Sequence, residues 1–332
     1  MEQTAAADLQ QQGEGLIWIS LPSLIALRYV AAKLPRRLPL RFSSRSGHYV
    51  SVMQGRGMEF AESRPYAAGD DIRSIDWRIT ARTGKAHTKL FREERERAVI
   101  IGVDLQRTMH FATRGAYKSV VATQIAALLA WRALHQGDRL GGMVFAEGEH
   151  LEIRPQLGRS AVLQFLYQMV NHQVWSAKNP AEQGWVASAE TQEISPFSHQ
   201  LLRLRRVAHP GAQVIMVSDF YTLSSADEQH LRELSRHCEV ALIMVYDPFE
   251  ESLPQSGHYL VSDGVNFHGL DVAAATLRQQ YRDQFKARLD YLDALSGRYR
   301  LRLLLCRCDE DPAATLNTIC RVPTPVIASR VH

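Results

Sequence analysis

Ala98-Val-Ile-Ile-Gly-Val-Asp104-Leu-Gln-Arg-Thr-Met109 reads as a buried strand that runs out of the core and ends on a carboxylate. The unbroken apolar run Val99 to Val103 suits a strand covered on both faces, as in a parallel sheet. A polar turn follows Asp104, and a helix follows the turn. In open α/β sheets, ligands bind where such strands end.

Strand and helix alternate from this point onward. A helix over about Ala116 to His135 carries Val120, Val121, Ile125, Leu128, Leu129 and Ala133 at helical spacing, and Gln136-Gly137-Asp138 ends it. A strand from Arg139 to Phe145 turns tightly at Ala146-Glu147-Gly148 into a shorter strand, His150 to Arg154. So tight a connection predicts an antiparallel pair. A helix from Arg159 to Asn171 leads into a polar loop, Asn171 to Ser195, and then into a helix from Pro196 to Val207. The run Gln213-Val-Ile-Met-Val-Ser-Asp219 is a second apolar strand ending on an aspartate. A helix over Ala226 to His237, a strand over Glu239 to Tyr246 and a stop at Asp247-Pro248 come next. A hairpin is expected around Ser262-Asp263-Gly264. A long helix from Val272 to Leu295, capped by Ser296-Gly297, and a strand from Tyr299 to Cys306 complete the pattern. Such alternation predicts an α/β fold with a doubly wound, mostly parallel sheet and helices on both faces. If the strands ending at Asp104 and Asp219 are neighbours, the two carboxylates lie side by side where the strand order reverses.

The chain has 332 residues, 45% hydrophobic and 22% charged, with a net charge of +4, which is ordinary globular composition and too mildly basic for a dedicated nucleic-acid binder. The cysteines, Cys238, Cys306, Cys308 and Cys320, are few and late, so a reducing compartment and a cytoplasmic location are expected. The most apolar stretch, Gly15 to Ala32, is too short to span a bilayer and is interrupted by Arg28. Met1 to Glu14 lacks a basic residue and is expected to be a disordered leader rather than a signal peptide. From Pro22, the spacing of Leu24, Ile25, Leu27, Val30, Ala31 and Leu34 predicts an amphipathic helix packed on the domain. Between Gly15 and Met58 there is no acidic residue, but there are Arg28, Lys33, Arg36, Arg37, Arg41, Arg45 and Arg56. This basic arm reads either as a solvated connector or as a peripheral contact with an acidic partner or anionic surface.

The stretch from Gly55 to Arg82 is dense in Arg, Asp and aromatic residues. Arg64, Arg73, Arg78 and Arg82 sit among Glu59, Glu62, Asp70, Asp71 and Asp76. Planar guanidinium–carboxylate pairs can lock such an irregular segment. Asp70 or Asp71 is expected to cap a short helix from Ile72, and a strand is expected from Ala86 to Glu93. Paired carboxylates such as Asp70 and Asp76 could in principle do acid–base work. With Arg56 counted, the stretch has as many arginines as carboxylates, which favours ion-pair scaffolding.

Two resemblances follow from these residues. Asp104, Gln106 and Thr108 stand where the von Willebrand factor A family has Asp-x-Ser-x-Ser, its metal-ion-dependent adhesion site, and Ser218-Asp219 is similar to that family's later aspartate. Gly57-Met-Glu-Phe60, Arg64-Pro-Tyr66, Gly69-Asp-Asp-Ile-Arg73, Ile75-Asp-Trp77, Ala81-Arg82, Lys89-Leu-Phe and Tyr246-Asp-Pro-Phe-Glu250 resemble the signature of the bacterial family called domain of unknown function 58. That resemblance covers about residues 15 to 305. It implies a von Willebrand factor A-like domain over 98–308, preceded by a helix, basic arm and signature segment over 15–97 and followed by a tail over 309–332. It also implies a MoxR-type AAA+ ATPase and its client proteins as partners, with Arg64, Tyr66, Asp70, Arg73, Asp76, Trp77 and Arg82 as partner-binding residues.

The implied role is a non-enzymatic adaptor or assembly factor. The implied metal is Mg²⁺, held by Asp104, Gln106, Thr108 and Asp219, with Ser160 as a weaker fifth candidate. Mg²⁺ needs a near-octahedral set of oxygens. Gln106 departs from the pattern, and Arg107 and Arg159 disfavour a cation. The alternative is a metal-free crevice whose aspartates are neutralised by arginine. A metal-dependent hydrolase or nuclease using Asp104 and Asp219 is the competing function, but the thirteen histidines show no ligand spacing. A nucleotide-binding reading lacks a glycine-rich loop after Asp104.

Overall fold

The computed structural model describes residues 13–35, 58–67, 71–93, 97–146, 149–175, 196–262 and 267–321. The leader over 1–12, most of the basic arm, Asp70, residues 176–195 of the polar loop and the tip of the hairpin at Asp263-Gly264 lie outside the described residues. The chain divides into a large unit, Met1–Ser43 with Arg97–His332, and a small unit, Ser44–Glu96.

The large unit begins with two short helices, α1 (Leu21–Ala26) and α2 (Arg28–Ala31), where one helix was expected. Ser20 caps α1 and Pro22 lies in its first turn. Leu24, Ala31 and Leu34 are buried as the helical spacing requires, whereas Val30 is exposed.

The small unit pairs β1 (Met58–Pro65) antiparallel with β2 (His87–Glu93), with a bulge between Phe60 and Glu62. The segment between them holds a 3₁₀ turn, Ile72–Ser74, and α3 (Trp77–Thr83). Asp76 caps α3. One of its oxygens accepts from the backbone N–H of Arg78 (3.1 Å) and Ile79 (3.2 Å), and the other from the Ser63 hydroxyl (3.1 Å). The short helix expected from Ile72 is the 3₁₀ turn, which precedes α3, and Asp70, one of its two expected caps, lies outside the described residues. Asp76→Ala should destabilise the small unit by about 1 kcal/mol, the usual cost of a lost N-cap, and limited proteolysis within 71–86 should read it out.

Returning to the large unit, the remaining elements in chain order are β3 (Ala98–Asp104), α4 (Lys118–His135), β4 (Arg139–Phe145), β5 (His150–Gln156), α5 (Arg159–Val170), α6 (Pro196–Val207), β6 (Gln213–Ser218), α7 (Glu228–His237), β7 (Glu239–Tyr246), α8 (Pro248–Glu251), the hairpin β8 (His258–Ser262) and β9 (Phe267–Asp271), α9 (Ala275–Tyr299), β10 (Arg302–Arg307) and α10 (Pro312–Arg321). Six of the strands form one sheet in the order β10-β7-β6-β3-β4-β5. All of its pairings are parallel except β4 with β5. The chain is therefore a mixed α/β protein with a mostly parallel sheet.

Alternation along the strands builds a core on each face. Val99, Ile101 and Val103 of β3 pack with α4, α5, α1 and α10, whereas Ile100 packs with α6, α7 and α9. Gly142 of β4 lets α5 approach the sheet, because a Cβ there would meet a Phe165 ring carbon at 2.3 Å. The N-terminal segment is tied to α4. The Trp131 indole donates to the Leu24 carbonyl (3.0 Å), and the Tyr117 N–H donates to the Leu16 carbonyl (2.7 Å).

Among the boundaries that differ from the sequence reading, two reshape the C-terminal part of the chain. The last long helix runs through Ser296-Gly297 and stops at Arg300, whose φ of 54° makes the left-handed turn. The stretch expected to be a tail carries α10, whose Ala313 and Leu316 are buried against the core. Among the described residues, no helix is long and apolar enough to cross a membrane.

Candidate functional site

β3 and β6 are adjacent and parallel. After β3 the chain moves to β4 and β5 on one side, then returns to β6 on the other. The point where the order reverses, where open α/β sheets form their crevice, lies between β3 and β6, and Asp104 and Asp219 stand at these neighbouring strand ends.

Both aspartates are 1% exposed. Asp104 accepts from the Gln106 N–H (2.8 Å) through one oxygen and from the Ser218 hydroxyl (2.5 Å) through the other. Asp219 accepts from the Tyr221 N–H (3.0 Å) through one oxygen and from the Lys118 ammonium (2.8 Å) through the other. The same ammonium donates to Glu250 at the start of α8 (2.8 Å). Burial alone would push the Asp219 carboxyl up. The charge of the adjacent ammonium, together with the hydrogen bonds that Lys118, the Tyr221 N–H and Thr108 supply, outweighs burial and holds it below the usual carboxylate range. Burial alone would likewise lower the Lys118 pKa, but the two carboxylates raise it. A lysine in the first turn of a helix opposes the helix dipole, so these carboxylates, not the helix, account for its charge there.

The ion cluster continues into a hydrogen-bonded hinge. Glu250 also accepts from the Asp247 N–H (3.0 Å), closing a capping box around α8. Asp247 is fully buried. It accepts from the Thr113 N–H (2.7 Å), the Thr113 hydroxyl (2.5 Å), the Phe249 N–H (2.8 Å) and the Cys308 thiol (3.1 Å). The loop between β3 and α4 closes against the end of β10 at Gly115. Its φ is 72°, and a Cβ there would lie 2.7 Å from the Cys308 carbonyl oxygen.

The rim is set by a strained turn. Phe220 is buried with φ at 54°, and the Ser218 hydroxyl accepts from its N–H at 2.9 Å. This turn leaves Tyr221 67% exposed, with the Arg288 guanidinium 5.7 Å from its ring centre. Thr222 reaches back to the Gln106 side-chain oxygen at 3.4 Å.

The metal candidates are therefore only partly assembled. Asp104, Gln106, Thr108 and Asp219 share the crevice mouth. Gln106 is buried and takes part in a side-chain hydrogen bond, which is not the ligand geometry of a serine. The buried Thr108 hydroxyl lies beside the Asp219 carboxylate and helps hold it low. Ser160 is exposed in the first turn of α5, and among the described residues no hydrogen bond joins it to either aspartate. With an ammonium already on Asp219, these side chains do not fit the oxygen cage that Mg²⁺ requires. Among the described residues, no cluster of three or more His, Cys, Asp or Glu is placed to hold a metal. The cation paired with Asp219 is a lysine rather than one of the arginines that the sequence suggested.

The small unit separates the remaining candidates. Trp77 is 68% exposed and Arg82 is exposed on α3, whereas Arg64 and Tyr66 are half-buried. Asp76 is buried as the α3 cap, so its position is structural rather than partner-facing. Asp70 and the Arg73 side chain lie outside the described residues.

Lys118, Glu250 and Asp247 were absent from the sequence-level candidates. The signal for the latter two was present, because Asp247-Pro-Phe-Glu250 has the spacing of a capping box. For Lys118 the only signal was a lysine where a helix start favours acids.

His110, in the loop after β3, is packed edge-on against Tyr117 and Trp175. Burial lowers its pKa to about 4, against some help from the Leu105 carbonyl. Burial lowers His172 as well. The folded protein thus binds fewer protons than the unfolded chain. The stability contributed by a neutral His110 is complete above its unfolded value of about 6.5 and is lost as pH falls toward 4. The loss should be on the order of 3 kcal/mol. Urea melts between pH 7.5 and 5 should show this slope, and His110→Gln should flatten it.

Comparisons with known proteins bear on the whole arrangement. The uncharacterized protein Rv1480 of Mycobacterium tuberculosis is 28% identical over 219 residues, covering 65% of this chain and 64% of that protein. The uncharacterized protein Mb1516 of Mycobacterium bovis matches with the same figures, 28% over 219 residues. The chain thus spans 64% of the length of these curated relatives. Among solved structures, the conserved hypothetical protein BatB from Bacteroides thetaiotaomicron is similar at a TM-score of 0.38 and 13% identity, over 67% of this chain and 95% of that one. That likeness is too slight to carry weight. Residues 62–290 match the family described as "Protein of unknown function DUF58", and with more than half of its length so matched, the chain belongs to that family.

Proposed function

We propose that this chain is a non-enzymatic protein-interaction module with a von Willebrand factor A-like fold, working as an adaptor or assembly factor with a MoxR-type AAA+ ATPase. The crevice between the ends of β3 and β6 is the contact face. The observation that carries this reading is that both crevice carboxylates are committed to internal donors. Asp104 is held by Gln106 and Ser218, and Asp219 by Lys118 and Tyr221. A carboxylate so engaged is poorly placed to act as a base or nucleophile. What the crevice offers to solvent is the Tyr221 ring, an aromatic of the kind that anchors protein contacts. The strand order and the two aspartates at neighbouring strand ends support the von Willebrand factor A-like assignment. The ATPase partnership rests on the family resemblance. In the small unit, exposed Trp77 and Arg82 are a second candidate contact for the same partners or their clients.

The test is capture of partners from the native host by the tagged full chain, with mass spectrometry as readout. The wild type should recover an AAA+ ATPase, and Tyr221→Ala should reduce that recovery at least about tenfold, as loss of an aromatic hot spot does. Equal recovery by Tyr221→Ala would exclude the crevice as the contact face. Metal-dependent phosphoester turnover that is lost in Asp104→Asn would exclude the non-enzymatic reading.

A further inference from the structure

Lys118 is 1% exposed and is among the largest fully buried side chains of the protein. A buried ammonium is costly and survives only when paired. Here the pairing is double, to Asp219 at 2.8 Å and to Glu250 at 2.8 Å. The ammonium comes from the first residue of α4, and its two partners follow β6 and β7. One positive charge therefore ties together three segments at the same end of the sheet. The buried Thr108 hydroxyl lies on the Asp219 side of this cluster.

We infer that the Lys118 ammonium is the resident cation of the crevice and takes the place that a divalent metal holds in the von Willebrand factor A pattern. The fit is chemical. A metal at this spot would neutralise the strand-end aspartate and draw neighbouring loops together, and the ammonium does both. It differs from a metal in two ways. It is covalently part of the chain, so chelators cannot remove it. It is also enclosed, so it offers no open position for a partner's carboxylate. Protein contacts at this face are therefore made by rim side chains such as Tyr221, not through a bridging ion. The inference concerns the same crevice as the proposed function but does not depend on which partner docks there.

The consequence for a variant is sharp. Lys118→Met keeps an unbranched side chain of similar reach and removes the charge. Asp219 and Glu250 are then left facing one another with the Thr108 hydroxyl nearby, which is an oxygen set suited to a hard divalent cation. Removing the lysine should create the metal site that the wild type lacks.

The experiment uses Mn²⁺ as the probe on the purified full chain, with electron paramagnetic resonance for binding and thermal melts for stability. The wild type should bind no stoichiometric Mn²⁺ at concentrations up to about 1 mM, the weak end of protein sites for hard divalent cations, and its melting temperature should be unchanged by Mn²⁺ or by EDTA. Lys118→Met should melt lower, bind one Mn²⁺ per chain, and regain melting temperature as Mn²⁺ is added. Lys118→Met/Asp219→Asn should lose that binding. A wild type that binds one Mn²⁺ per chain and loses it in Asp219→Asn would overturn the inference. So would a Lys118→Met variant that is as stable as the wild type and indifferent to Mn²⁺. If Lys118→Met fails to fold without metal, refolding on Mn²⁺ addition supports the inference, and the wild-type titration decides the question by itself. No partner is present in any of these measurements, so their outcome is separate from that of the capture experiment.

Discussion

Asp219→Ala is expected to cost about 3–5 kcal/mol of folding stability, because it removes one partner from a buried ion pair and leaves an ammonium enclosed with less than its charge in return. Lys118 and Asp219 are each 1% exposed, so water cannot take over the lost interaction. Glu250 remains at 2.8 Å and moderates the loss without cancelling it. Combining Asp219→Ala with Lys118→Met should recover part of the deficit, and the double-mutant cycle should show a coupling of about 1–3 kcal/mol. Urea unfolding of the four proteins at pH 7 measures it. Additive effects would mean that the pair is not coupled. The same reasoning bars Asp219→Ala as a clean knock-out of partner binding, since any lost capture would be confounded with lost fold.

Asp247→Ala should be comparably severe. Asp247 receives four hydrogen bonds while fully buried, and it caps α8. Truncation removes the α8 cap and strands the buried Phe249 N–H, while Thr113, which is exposed, loses its acceptor but can turn to water, for a total of about 3 kcal/mol. Asp247→Asn keeps one accepting oxygen and should fall between the alanine variant and the wild type. The effect should also spread. Thr113 lies in the loop between β3 and α4, and Cys308 follows β10, so amide exchange should quicken in both segments and not only around α8.

The two variants probe what the sequence made visible and what it did not. Strand ends at Asp104 and Asp219 were legible because the apolar runs that precede them are unbroken and the polarity changes abruptly at the carboxylate. Their adjacency was only a condition of the sequence reading, because alternation implies a parallel sheet without fixing its strand order, and the pairing of β3 with β6 meets that condition. Boundaries set by backbone geometry were less visible. Ser296-Gly297 reads as a helix stop, yet the helix runs on to Tyr299 because Arg300 makes the left-handed turn instead. The charge partner of Asp219 was not legible. Lys118 lies 101 residues away in sequence, and nothing in its neighbours distinguishes a lysine turned inward from one in solvent. Glu250 lies 132 residues from Lys118 and carried only a local capping signal. Long-range pairing of single charges leaves no periodic trace, whereas strands and helices do. Asp76 illustrates the converse. The resemblance placed it among the partner-binding residues while the charges around it favoured scaffolding, and its buried carboxylate caps α3 and accepts from Ser63.

The central claim is that the crevice between β3 and β6 is where another protein docks. Hydrogen–deuterium exchange of the full chain with and without the AAA+ ATPase proposed as its partner tests this most directly. The account expects slowed exchange in residues 105–110 and 219–224, which form the crevice mouth, with no requirement for added divalent metal. Unchanged exchange in both segments, with protection confined to other parts of the chain, would contradict it.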